Sequence, residues 1–194
     1  MKIRRYLMLV AACTFFLGKS FAANNEKPFV IPELQEWRGA QGMFTPSATS
    51  RIVWLGKDSA VARVANQFAE DYETMFGRKL AVVQGRASAG DFVFSLSGDR
   101  QLGEEGYAVR IADRVSISAP KAKGLYWATR TILQMTEQNS DQALPKGAVR
   151  DYPDYAIRGF MMDCGRKFIP MDFLRDYVKM MAYYKMNTFQ VHLN

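Results

Sequence analysis

The chain has 194 residues, 48% of them hydrophobic and 23% charged, with a formal net charge of +7. That composition excludes a disordered or low-complexity protein and is long enough to bury a sizeable core. The excess charge sits at the start: residues 1–22 hold Lys2, Arg4, Arg5 and Lys19 and no acid, so the remainder carries +3. With no Lys/Arg cluster interleaved with aromatics beyond that point, nucleic acid is excluded as a partner.

Residues 1–22 read as a secretory signal peptide. Lys2, Arg4 and Arg5 form a basic n-region, residues 6–17 an apolar core, and Ser20 and Ala22 are small residues at the two cleavage-determining positions. The apolar run is short for a transmembrane span, and none is expected. Export to the periplasm or outside the cell is therefore expected. Val10-Ala11-Ala12-Cys13 offers a minor alternative, lipid anchoring at Cys13. With Cys13 in the leader, Cys164 has no intramolecular disulfide partner and reads as a small buried side chain.

Residues 24–150 read as an α+β domain. After a polar lead-in over 24–32, strands are predicted before Gly39 and over 50–55. A helix follows over 60–76, with Val61, Val64, Ala65, Phe68, Tyr72, Met75 and Phe76 on one face and Gly77 as its stop. Short strands over 80–83, 92–96, 106–111 and 115–118 are separated by Gly, Asp and Ser turns. A second helix over 124–138 turns Leu125, Ala128, Thr129, Ile132 and Met135 inward. This order predicts an antiparallel or mixed sheet with both helices on one face. Trp37, Trp54 and Trp127 lie in apolar segments and are expected in the core. Of the adjacent acids, Glu70-Asp71 reads as a polar helix face and Glu104-Glu105 as a solvated loop. Residues 139–146 read as a polar linker.

Residues 151–194 predict a βαβ unit, the building block of parallel sheets. Arg158-Gly159-Phe160-Met161-Met162-Asp163 reads as a buried strand with polar ends, and residues 188–193 as a second. Pro170 suits the start of the helix between them. Asp172 in its first turn and Lys185 in its last match the helix dipole. Leu174, Tyr177, Val178, Met181 and Tyr184 line one face, and Asn187 ends the helix.

Asp151-x-Pro153, then Arg158-Gly159-x-x-x-Asp163-x-x-Arg166-x-Phe168, a helix, and Lys185-Met186-Asn187-x-Phe189-x-x-His192-Leu193 resemble the opening of the catalytic barrel of glycoside hydrolase family 20, the β-N-acetylhexosaminidases. The likeness covers all of residues 151–194, although Lys167 stands where relatives commonly have histidine. Glu105-Gly106-Tyr107 through Gly124-Leu125-Tyr126 to Thr131-x-x-Gln134 more weakly resembles the accessory domain that precedes that barrel. The resemblance implies an α+β accessory domain over 24–150 and a truncated (β/α)8 barrel beginning at 151. It also implies glycans ending in N-acetylhexosamine as partners, and no cofactor or metal. Its chemistry would be substrate-assisted retention: the substrate's acetamido oxygen attacks the anomeric carbon, an aspartate holds the acetamide, and a glutamate acts as acid and then base. That Asp-Glu pair belongs to a later strand, so no catalytic residue is assigned here and this chain alone is expected to be inactive.

By the same resemblance Arg158 contacts hydroxyls of the terminal sugar; read alone it is a structural ion-pair partner. Asp163 either binds a hydroxyl or holds Arg166 or Arg158. His192, the sole histidine, either supports the site or is an inert inward-facing barrel residue. With most of a barrel missing, residues 24–150 are expected to resist proteolysis and residues 151–194 to be open to it. A non-catalytic exported module that binds carbohydrate or protein is the alternative function.

Overall fold

The computed structural model describes residues 23–193, and the predicted signal peptide lies outside them. Its elements are β1 (Glu36–Phe44), β2 (Arg51–Trp54), α1 (Ser59–Phe76), β3 (Ala81–Gln84), β4 (Phe92–Leu96), β5 (Tyr107–Ile111), β6 (Val115–Ala119) and α2 (Ala122–Glu137). Then come β7 (Leu144–Asp151), β8 (Gly159–Asp163), α3 (Met171–Tyr183) and β9 (Thr188–His192). A 3-10 turn at Arg100–Leu102 precedes β5.

The first seven strands form one mixed sheet in the order β1-β7-β5-β6-β4-β2-β3. Side-chain pattern explains the placement. In β5, Tyr107, Val109 and Ile111 are buried, and in β6 Val115, Ile117 and Ala119, so each strand turns alternate residues into the core. Phe92, Val93 and Phe94 of β4 are all buried, the continuous apolar run of a strand covered on both faces. β4 accordingly lies inside the sheet, parallel to β2 on one side and β6 on the other.

Helix α1 begins at Asp58, whose carboxylate accepts from the Ala60 N–H at 2.8 Å, and ends at Gly77. There φ is 68° and the N–H donates to the Glu73 carbonyl, a left-handed stop that favours glycine. It buries Val61, Ala65, Phe68 and Tyr72, with the Phe68 ring meeting Phe92 and Phe94 edge-on or tilted at 5.5 and 5.7 Å. Burying a phenylalanine of this kind is worth about 1.5–3 kcal/mol. Met75 is 38% exposed, so the apolar face is shorter than its periodicity suggests. α1 and α2 touch each other as well as the sheet, so both lie on one face, in agreement with the expected class. Trp127 is buried, and Trp37 and Trp54 are partly buried against the core.

Two expectations are corrected. β1 does not stop before Gly39 but runs through it to Phe44, with a bulge between Gly39 and Met43. A Cβ at Gly39 would collide with the Asn25 carbonyl, so that glycine permits a close backbone crossing, not a turn. Second, residues 144–146 are not linker. They open β7, which lies between β1 and β5 and buries Leu144, Gly147, Val149 and Asp151. Pro145-Lys146-Gly147 resembles turn chemistry, but a Cβ at Gly147 would meet the Trp37 ring, so this glycine makes room inside the sheet.

β8 and β9 form a separate parallel pair joined by α3. Phe160 and Phe189 are register partners, and both rings meet Tyr177 of α3, at 5.2 and 5.7 Å. Met161, Asp163, Gln190 and His192 alternate with them and occupy the opposite face. Met181 is the buried residue of α3, while Val178 and Tyr184 of the predicted face are exposed.

Candidate active site

In β/α barrels chemistry is placed at the carboxyl ends of the strands. That end of this unit is formed by Asp163 and His192, which are register partners, with the Cys164 N–H donating to the His192 carbonyl at 2.8 Å. Asp163 Oδ1 accepts from the backbone N–H groups of Gly165 (3.0 Å) and Arg166 (3.2 Å), and its Oδ2 lies 2.9 Å from Arg166 Nε. The carboxylate therefore folds the loop after β8 back on itself. It grips one edge of a guanidinium whose side chain is otherwise 88% exposed. Of the two alternatives for Asp163, holding Arg166 is the one the geometry displays. Arg166 is not among the candidates that the sequence singles out; the signal available is its position three residues beyond a strand-ending aspartate.

Arg158 sits at the other end, ahead of β8, apart from Asp163 and His192. Its Nε donates to the Lys185 carbonyl (2.8 Å), Nη1 to the Tyr155 carbonyl (2.7 Å) and Nη2 to the Glu105 carboxylate. The guanidinium also lies over the Trp127 ring, 5.6 Å from its centroid. At the amino end of the strand, Arg158 is engaged by protein groups on all three nitrogens and ties β8 to the sheet domain, the ion-pair arrangement among its two readings. Glu105 is likewise no solvated loop residue. It accepts from Arg158, Lys123 and Asn187, and its side chain is 10% exposed. Burial pushes its pKa up, but the hydrogen bonds from those three partners outweigh that and hold it below the usual carboxylate value.

Lys185 is not the exposed, dipole-compensating cation that its position suggests. α3 ends before it, and Lys185 takes a left-handed φ of 58° that turns its ammonium into the sheet domain. There Nζ donates to Asp151 Oδ2 (3.0 Å) and to the Tyr107 hydroxyl (2.8 Å). Tyr107 in turn donates to Asp151 and lies 2.6 Å from the Thr131 hydroxyl. Burial lowers the lysine pKa, and the attraction of Asp151 only partly offsets it. The Tyr107 phenol is driven well up by burial and by the neighbouring Asp151 charge. Beside this network is a cleft of about 250 Å³ walled by Pro32, Gln35, Trp127, Tyr152 and Tyr155. It lies at the Arg158 end of the strands, away from Asp163.

Among the described residues no group of three or more His, Cys, Asp or Glu could hold a metal ion, and no helix is long and apolar enough to cross a membrane. A sheet domain with two helices on one face, followed by a βαβ unit, is the arrangement of an α+β domain joined to the opening of a β/α barrel. Residues 27–152 match "Glycosyl hydrolase family 20, domain 2", and residues 155–194 match "Glycosyl hydrolase family 20, catalytic domain". The chain belongs to glycosyl hydrolase family 20.

A beta-N-acetylhexosaminidase of Cellulomonas fimi is 37% identical over 101 residues, which is 50% of this chain and 20% of that protein. A beta-hexosaminidase of Porphyromonas gingivalis is 28% identical over 140 residues, 67% of this chain and 18% of the relative. The match thus spans a fifth or less of the length of these curated relatives. Among solved structures, a mutant Streptomyces plicatus beta-hexosaminidase in complex with its product GlcNAc superposes with a TM-score of 0.78 at 24% identity. The match covers 89% of this chain and 36% of that one. A Vibrio harveyi exo beta-N-acetylglucosaminidase gives 0.75 at 20% identity, over 89% and 26%. At these identities the structural likeness speaks for the fold.

Proposed function

We propose that this chain is the front part of an exported β-N-acetylhexosaminidase that removes terminal N-acetyl-β-hexosamine from glycans with retention. Family membership and the names of the relatives support the reaction class. The observation that carries the local reading is the Asp163–Arg166 pair at the carboxyl end of β8, where a barrel enzyme receives its substrate. Asp163 holds the Nε edge of Arg166, and the Nη nitrogens present a planar pair of donors to sugar hydroxyls. His192, across the same end, supports the site from β9.

The reaction asks two things of these residues: that they orient the terminal sugar, and that they help distort it toward the oxocarbenium-like transition state. The attacking group would be the substrate's acetamido oxygen. The aspartate that holds it and the glutamate that protonates the leaving oxygen belong, by the family pattern, to a strand after β9. Residues 1–22 would direct export, and N-terminal sequencing of the secreted product should begin at or close to Ala23.

The test is hydrolysis of a chromogenic N-acetyl-β-glucosaminide by the full gene product that contains this chain, with and without Arg166→Ala. Activity that falls roughly 10–100-fold in kcat/KM, the scale of a charged hydrogen bond, is expected. Full activity in Arg166→Ala would remove Arg166 from the site. No hydrolysis at all would remove the hydrolase reading in favour of a binding module.

A further inference from the structure

Glu105 lies between the 3-10 turn and β5, and its carboxylate reaches three separate parts of the chain. Oε1 accepts from Lys123 in the first turn of α2 and from Asn187 Nδ2, at 3.2 Å, just ahead of β9. Oε2 accepts from Arg158, just ahead of β8. One sheet-domain side chain is thus bonded to the residue preceding each of the two barrel strands. The partners are bonded to each other as well, since the Asn187 Oδ1 accepts from the Arg158 N–H at 2.9 Å. Elsewhere β8 and β9 rest on α3 and on one another, with Phe160 44% and Val191 40% exposed.

We propose that Glu105 is a positioning residue: it sets where the first two barrel strands begin relative to the sheet domain, and it keeps them ordered from that side. The carboxylate is well shielded and faces two cations and an amide donor. Its removal would leave Arg158 and Asn187 without their shared acceptor while the sheet domain kept its own core. Residues 151–193 are then held by residues 23–150 without help from further barrel strands, the reverse of the protease sensitivity expected from an open barrel edge. What this means for the placement of Asp163 and Arg166 rests on the function proposed above; the test does not.

The test is amide hydrogen exchange, resolved by residue, on the full 194-residue chain. In the wild type the Cys164 amide and the other interstrand amides of β8 and β9 should exchange within about tenfold of those in β5 and β6. Glu105→Ala should accelerate β8 and β9 by about tenfold or more and leave β4 and β6 within about threefold. Glu105→Gln, which keeps an acceptor and the shape, should fall between, and it serves if the alanine variant does not fold. Lys123→Ala, which removes only the α2 partner, should leave β8 and β9 protected. Added to Arg158→Ala, Glu105→Ala should cause little further acceleration. The proposal fails if wild-type β8 and β9 exchange like an unfolded chain, if Glu105→Ala accelerates every strand equally, if Lys123→Ala reproduces its effect, or if the Arg158 and Glu105 effects add.

Discussion

Asn187 grips Arg158 from both sides of its residue: its side-chain Oδ1 accepts from the Arg158 N–H at 2.9 Å, and its own N–H donates to the Arg158 carbonyl at 2.8 Å. Its amide nitrogen is used as well, by the Ala156 carbonyl and Glu105. Asn187→Ala removes one acceptor and two donations at once. It should cost about 1–3 kcal/mol, read as a lower urea midpoint with an unchanged slope. A midpoint within error of wild type would mean that solvent replaces these bonds without loss.

Lys185 makes a sharper case, because the other donors to its buried partner Asp151, the Tyr107 hydroxyl and the Gln35 N–H, are neutral. Lys185→Met leaves Asp151 buried with its charge uncompensated, and breaking a buried pair in this way typically costs about 3–5 kcal/mol. Replacing both residues, as Lys185→Met with Asp151→Leu, should recover part of the loss. A thermodynamic cycle from chemical denaturation tests this, and losses of the two single variants that simply add in the double variant would show that the pair contributes nothing as a pair.

Stability should also respond to acid through Glu105. Its folded-state pKa lies below the ordinary 4.5, so below that value the unfolded chain binds the proton more readily than the folded one. The stabilisation is complete above the unfolded value and is lost as pH falls through the folded one. Urea midpoints measured downward from pH 6 should fall more steeply in the wild type than in Glu105→Gln. Parallel curves would assign the acid sensitivity to other carboxylates.

Gly124 lies in the first turn of α2, where a Cβ would strike the Gly106 carbonyl and crowd the Ala119 side chain. Alanine is normally the better helix former by up to about 1 kcal/mol. Here overpacking should win, and Gly124→Ala should destabilise by roughly 1–3 kcal/mol in thermal unfolding. An increase in stability would mean that α2 can slide away from β5 at little cost.

Much of the fold was legible because it rests on local patterns. The 3.6-residue stripe of α1 with Gly77 behind it, the alternation in β5 and β6, and the βαβ unit are each written in consecutive residues. Other features depend on partners distant in sequence. β7 opens with Pro145 and Gly147, and only the Trp37 ring from β1 explains the glycine. Lys185 looks like a helix-ending cation until its left-handed backbone turns it onto Asp151. Glu105 has the sequence of a polar loop and the surroundings of an interior residue. The candidate site was legible in Asp163, a strand-closing carboxylate. Arg158 reads in sequence as a sugar contact or an ion-pair partner, and its bonds to Glu105 and to the Lys185 carbonyl, distant in sequence, appear only in the fold; strand polarity brings forward Arg166 beside Asp163.

The amide of Gln134 in α2 accepts from the Ile31 N–H, donates to the Ile31 carbonyl, and donates also to the carbonyl of Tyr183. Ile31 precedes it by 103 residues and Tyr183 follows it by 49. At about 5–20 residues per second, the last of these partners leaves the ribosome roughly 8–30 s after the first. Over the last 49 residues of that stretch, roughly 2–10 s, Gln134 has been made but the Tyr183 carbonyl has not, so α2 carries a half-satisfied polar group. The clasp therefore joins segments made at different times: the bonds of Gln134 to Ile31 can close before the one to Tyr183 is available.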